Sequence, residues 1–130
     1  MLTPIDIEGA LQTALNGLSL GTNITLSAYA APLPPDFTTP SVYIERTGGS
    51  SHDLVMDTHM VEFDVRADRW ALAQQYADSI IAKLRSLEKV GTVPVYSVEL
   101  NSLPYNNFDP LNQDVPRVSF GASITTRTKE

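Results

Sequence analysis

Ser50, Ser51, His52 and Asp53 are consecutive, and Asp57 and His59 follow within the same stretch, "RTGGSSHDLVMDTH", residues 46–59. Hydroxyl, imidazole and carboxylate are the parts of a hydrolytic triad. Two imidazoles with two carboxylates also suit a divalent metal. A triad needs its base within hydrogen-bond reach of the nucleophile and a third group that orients the base. Sequential neighbours rarely aim into one such constellation, and no G-x-S-x-G elbow is present. Metal binding would need His52, Asp53, Asp57 and His59 to converge across a hairpin mouth. No H-E-x-x-H, no calcium-loop spacing of carboxylates and no cysteine accompanies them. Gly48 and Gly49 are followed by neither a lysine nor a helix start, so they make no phosphate cradle. The plainer reading is a polar hairpin connection in which both glycines permit positive φ, and it outweighs catalysis and metal binding.

The chain that must position this stretch has 130 residues, 42% of them hydrophobic and 18% charged. That fits one domain, residues 1–130, able to bury a core without staples. With no cysteine, disulfides and thiolate metal sites are excluded. The N-terminus has no basic segment leading into an apolar run, as a secretory signal would, and no apolar stretch is long enough to span a bilayer. A soluble, cytoplasmic protein is expected. The formal charge is −6, and the nine basic residues are scattered. Nucleic-acid binding normally clusters lysine and arginine against phosphates, so direct recognition is not expected.

Residues 4–18 predict a helix, with Thr3 as N-cap, Pro4 at the first helical position and an apolar stripe through Ile7, Leu11, Ala14, Leu15 and Leu18. Residues 23–29 read as a short strand, and 30–40, rich in proline, as an extended connection. Residues 41–46 and 60–67 alternate as strands. In the second, Val61, Phe63 and Val65 point inward and Glu62, Asp64 and Arg66 outward. Residues 46–59 then fall between them as a long hairpin connection. Asp68 is placed to cap a long helix with a stripe through Ala73, Ala77, Ile80, Ile81, Leu84 and Leu87, ended by Gly91. "VPVYSVELNSL" and "PRVSFGASITTRT" are two further strands, separated by the irregular loop 104–116. The order α-β-β-β-α-β-β predicts an α+β fold, a mostly antiparallel sheet of 4-5 strands with two helices on one face. Tyr29, Tyr105 and Phe108 in irregular stretches suggest a protein interface, and Trp70 a core or interface anchor.

Together, "LPPDFTTPSVYIERTGG", the alternating strand leading into a W-A-x-A-x-x-x-A helix, and "VPR" before the last strand resemble the tail terminator (tail completion) proteins of long-tailed bacteriophages. The resemblance runs from Leu11 to Arg127. Its marks include Pro34, Asp36, Phe37, Pro40, Val42, Arg46, Gly48, Gly49, Trp70, Ala71, Pro116 and Arg117, while "RADR" separates strand from Trp70 where relatives often join them directly. It implies a small α/β virion protein without cofactor or catalytic residues. Such a protein forms a homohexameric ring in the tail-neck region, caps the major tail tube protein, stops its polymerisation and meets the head-tail connector or stopper. DNA then passes through the channel without specific binding, and an acidic lumen would repel its phosphates.

On that reading Pro34, Asp36, Phe37, Arg46, Gly48, Gly49, His52, Asp53, His59, Tyr105, Phe108 and Arg117 are expected at subunit, tube or connector contacts. Arg46 and Arg117 are expected to pair with acidic neighbours such as Asp36 or Asp109 across subunits. An exposed sheet edge could continue the sheet into a neighbour. The alternatives are another neck connector or stopper ring, a small metal-dependent hydrolase using His52, Asp53 and His59, and a peptide-binding adaptor.

Overall fold

A computed structural model describes residues 3–52, 55–111 and 114–128. The elements run α1 (Ile7–Leu15), β1 (Ser19–Gly21), β2 (Ile24–Thr25), β3 (Ser27–Ala30), β4 (Ser41–His52), β5 (Met56–Arg66), α2 (Trp70–Ser86), β6 (Lys89–Val90), β7 (Val93–Leu100), β8 (Tyr105–Asn106) and β9 (Arg117–Arg127). The α+β class and the mostly antiparallel sheet agree with the sequence, but the strand count does not. Among the described residues one sheet has 7 strands, ordered β3-β4-β5-β9-β7-β6 with β8 beside β9, and β1-β2 form a separate hairpin. The extra strands are two- and three-residue pieces, too short to show a periodicity of 2. The only parallel ladder among the described residues is β3 on β4.

Both helices cover one face. Val42 and Ile44 of β4, Val61, Phe63 and Val65 of β5, and Val118, Phe120, Ala122 and Ile124 of β9 are buried there with Ile7, Leu11 and Leu15 of α1 and Ala73, Ala77, Ile80 and Leu84 of α2. Phe63 and Phe120 stack at 4.8 Å in the middle of that layer. Burying a side chain of this size contributes about 1.5–3 kcal/mol, so this row fixes which face of each strand is inward.

Helix α1 starts later than expected. Asp6, not Thr3, is the N-cap, its carboxylate accepting from the Gly9 amide at 3.1 Å, while Ile5 is drawn into the core ahead of the first turn. Helix α2 begins after Arg69 without a side-chain cap. Asp68 instead accepts from the Thr39 hydroxyl at 2.9 Å and so ties down the proline segment. The helix ends at Ser86, and Gly91, at φ +57°, serves the β6–β7 turn instead of terminating it.

Candidate functional site

Residues 46–59 are not a loose connection. β4 and β5 stay paired from Ser41↔Arg66 outward to His52↔Met56, through a bulge at Thr47, so the polar stretch forms the outer arms of a β-hairpin. The sequence misled because Gly-Gly-Ser-Ser has low strand propensity, whereas ladder pairing to β5 and, through β5, to β9 overrides it. Gly49 alone of the two glycines has positive φ, +147°, and a Cβ there would collide with the Thr58 carbonyl; Gly48 faces open space.

Because side chains alternate across a strand, the hairpin sorts its reactive groups onto two faces. Asp57 and His59 share the helix side with Val61. His52, Thr58 and Met60 lie on the opposite side. On the helix side the Asp57 carboxylate is buried and accepts from Ser51 Oγ at 2.6 Å and Thr128 Oγ1 at 3.0 Å. His59, 2% exposed, meets Thr126 Oγ1 at 3.3 Å. Burial, reinforced by the Arg46 charge and opposed by Asp57, holds the His59 pKa below its ordinary value, so the ring is neutral at pH 7. Ser51, Asp57 and His59, with Arg46, Gly49 and Pro4, line an open pocket of about 310 Å³. On the far side His52 Nε2 lies 3.1 Å from Thr58 Oγ1 and 3.3 Å from Ser50 Oγ. The two histidines therefore face away from each other across the sheet, and the hydrolase arrangement that joins them is not assembled. Asp53 lies outside the described residues. No cluster of three or more His, Cys, Asp or Glu side chains with metal-binding geometry occurs among the described residues.

The far face of the sheet splits into two halves. Nearer the α2 end, the loops at 31–40 and 101–111 cover it. Asp64 and Arg66, expected outward, are buried there at 8% and 3% exposure. Arg66 pairs with Asp109 at 3.1 Å and lies 5.2 Å from the Phe37 ring centroid, while Asp64 accepts from the Ser119 hydroxyl at 2.6 Å. Arg117 donates to the carbonyls of Asn107 at 2.9 Å and Phe108 at 3.0 Å, with Asp109 at 3.9 Å. Arg117 is thus engaged within its own chain. Arg46 is exposed, and its backbone amide donates to the Glu8 carboxylate at 2.8 Å.

At the hairpin end the same face is bare. It carries Glu45 directly opposite Glu62, with Glu99, Ser97, Ser123 and the hydroxyl pair Thr58–Thr125 at 2.9 Å. Burial first, then Asp64 and Glu45, raises the Glu62 pKa. Burial and the hydrogen bond to Glu45 push the Tyr43 phenol up to about 12.

The remaining predicted contact residues lie on the loops. Pro34 and Phe37 are half-buried and Asp36 is exposed. Phe108 is 65% exposed and tilts against Trp70 at 5.6 Å, and the same segment of chain carries exposed Leu103, Tyr105 and Leu111. Leu103 and Leu111 were not singled out from sequence, where isolated leucines in a loop carry no periodic signal.

No protein-family model matches the chain, and no curated protein matches it. Among solved structures, a chain described as "Virion of native gene transfer agent (GTA) particle" shares the fold. The TM-score is 0.67 at 14% identity, over 93% of this chain and 94% of that one. Fold and surface define an α+β domain with an open hairpin and an unsheltered half-sheet, and one protein that shares the fold is part of a virion.

Proposed function

We propose that this chain, as a single domain, is a structural subunit of a phage-type virion: a tail terminator that closes into a homohexameric ring, caps the tail tube and joins it to the head connector. The observation that carries this reading is the near full-length fold likeness to a chain of a virion particle. The resemblance of the marks from Pro34 to Arg117 to tail terminators points the same way. The β4–β5 hairpin and the loops bearing Phe37, Tyr105 and Phe108 supply dissimilar patches on a rigid sheet, which head-to-tail ring closure needs. The protein acts by binding, with no turnover. Its bare half-sheet, with Glu45, Glu62 and Glu99 among hydroxyls, lines the channel, where carboxylates keep passing DNA from sticking.

Electron microscopy and native mass measurement of the protein, alone and with tail tubes, test the reading. Rings seated on tube ends are expected, and a monomer that never joins tubes overturns it. Arg46→Glu is expected to weaken the ring while the monomer stays folded, because Arg46 stands exposed beside the hairpin pocket. A ring structure with a positively charged channel wall would remove the lumen assignment. If the protein copurifies with portal-side proteins and not with tube, it is another ring of the neck.

A further inference from the structure

The sheet has two unfinished edges, and they match. β3 pairs with β4 only from Ser41 to Ile44, and β6 pairs with β7 only at Val93 and Pro94. Past those points no strand flanks the outer side of β4 or of β7 among the described residues. Each edge has its first free amide satisfied locally, Arg46 by the Glu8 carboxylate and Val95 by the Glu88 carbonyl, and beyond it no strand of the described residues pairs with Thr47–His52 on one side or Tyr96–Leu100 on the other.

The registers place these edges at one height. Leu100 is opposite Ala122, Ala122 opposite Val61, and Val61 opposite Arg46. Likewise Ser97 leads through Thr125 and Thr58 to Ser50, and Val95 through Thr126 and Asp57 to Ser51. Direction agrees as well. β4, β5, β9 and β7 are joined by antiparallel ladders throughout, so β7 runs opposite to β4. A copy rotated about an axis along the strands, without translation, therefore brings its β4 antiparallel to the first copy's β7. Rotation without translation closes a ring and does not build a filament.

Each edge begins at a register irregularity, at Thr47 in β4 and at Tyr96 in β7, and beyond it the chemical protection of an edge is sparse. Exposed edges are commonly blunted by lysine, proline or dense charge. Thr47–His52 contains none of these, and Tyr96–Leu100 carries only Glu99. A Gly-Gly-Ser-Ser run is also a weak strand by itself and gains most from a second flanking partner.

We propose that the outer half of β4 in one copy pairs antiparallel with the outer half of β7 in the next, so that the four-strand half-sheets join into one continuous inner wall. This rests on the ring reading of the preceding section and names the contact that closes it. The occupant is a second copy of this chain, because one chain presents both edges, level and opposed. Strands in closed sheets tilt, so the paired rows are offset by a few residues around the ring.

The chain has no native cysteine, which leaves a clean background for cross-linking. Ser50→Cys combined with Ser97→Cys, and Ser50→Cys combined with Glu99→Cys to allow for the offset, are oxidised in the assembled state and run without reductant. A ladder of covalent oligomers ending at the ring mass is expected from at least one pair, with no ladder from any single variant and an unchanged melting temperature when reduced. If wild-type rings form but neither pair yields a ladder, the edge pairing is overturned and the ring reading stands. If the wild type stays monomeric with and without tubes, the ring reading falls and the pairing with it.

Discussion

Arg66 and Asp109 form an ion pair at 3.1 Å, with side chains 4% and 10% exposed, that joins strand β5 to a loop lying 43 residues further along the chain. The pair compensates a charge that the fold has taken out of water. Among the described residues Arg66 Nε and Nη1 have no hydrogen-bond partner, so Asp109 and the Phe37 ring carry most of that compensation. Asp109→Ala leaves the guanidinium buried without its carboxylate and is expected to cost about 3–5 kcal/mol. Chemical denaturation measures it. The paired change Arg66→Met with Asp109→Leu is expected to recover most of the loss, because an apolar pair of similar volume carries no desolvation penalty.

Glu62 offers a charge test on the bare face. Its folded pKa is raised above the usual 4.5, by burial first and by Asp64 and Glu45 after it. A carboxyl with a raised folded pKa favours its protonated form in the native state. Its contribution is most favourable below about pH 4.5 and is lost as pH rises through the folded value. Glu62→Gln is expected to stabilise the monomer at pH 7 by up to about 1 kcal/mol, the scale of a like-charge cross-strand pair. The gain should vanish in melts below about pH 4. A gain that persists in acid would assign the effect to packing.

His59 runs the other way. Burial lowers its pKa from 6.5, so the folded state binds fewer protons than the unfolded one just below that value. Stability is therefore fully present above pH 6.5 and declines as the pH falls toward the lowered folded value. His59→Gln keeps a polar partner for Thr126 Oγ1 and is expected to flatten this slope. Urea melts at successive pH values between about 5 and 7.5 follow it directly.

How much of this was legible in the sequence depended on periodicity. The alternation Val61, Phe63, Val65 and the helical stripe from Ala73 to Leu84 gave the core face correctly, because apolar burial enforces both periods. The hairpin arms were missed, since Gly48, Gly49, Ser50 and Ser51 form strand only through pairing to Met60, His59, Thr58 and Asp57. The outward assignment of Asp64 and Arg66 failed for a related reason. Alternation reports which face a residue is on, but not that a distant loop with Asp109 and Phe37 folds over that face. The two histidines show the limit most plainly. They are close in sequence, and the strand pleat sends them to opposite sides of the sheet.

Phe108 and Trp70 give a reporter for the loop surface. Their rings lie 5.6 Å apart at 55°, and Trp70 is the single tryptophan of the chain. Phe108→Ala removes a ring that is 65% exposed, so its cost to stability is expected to stay below about 1.5 kcal/mol, while the tryptophan emission shifts to the red. If this loop meets tube or connector, the wild-type emission shifts to the blue on assembly and Phe108→Ala weakens joining. Unchanged emission on assembly would remove Phe108 from the contact.

Gly48 and Gly49 separate the backbone requirement of the hairpin from its surface. Gly49 has φ +147°, and a Cβ there would strike the Thr58 carbonyl across the ladder, whereas nothing stands near Gly48. Gly49→Ala must therefore shift the pairing at Thr58 and His59 and is expected to cost about 1–3 kcal/mol. Gly48→Ala is expected to stay within about 0.5 kcal/mol. The distortion at Gly49 falls within the Thr47–His52 edge, so Gly49→Ala should also impair ring formation at protein concentrations where Gly48→Ala assembles normally. Thermal melts of the monomer together with native mass measurement check both halves. Equal effects of the two alanines would show that the hairpin tolerates the added methyl and that Gly49 is not held by its backbone.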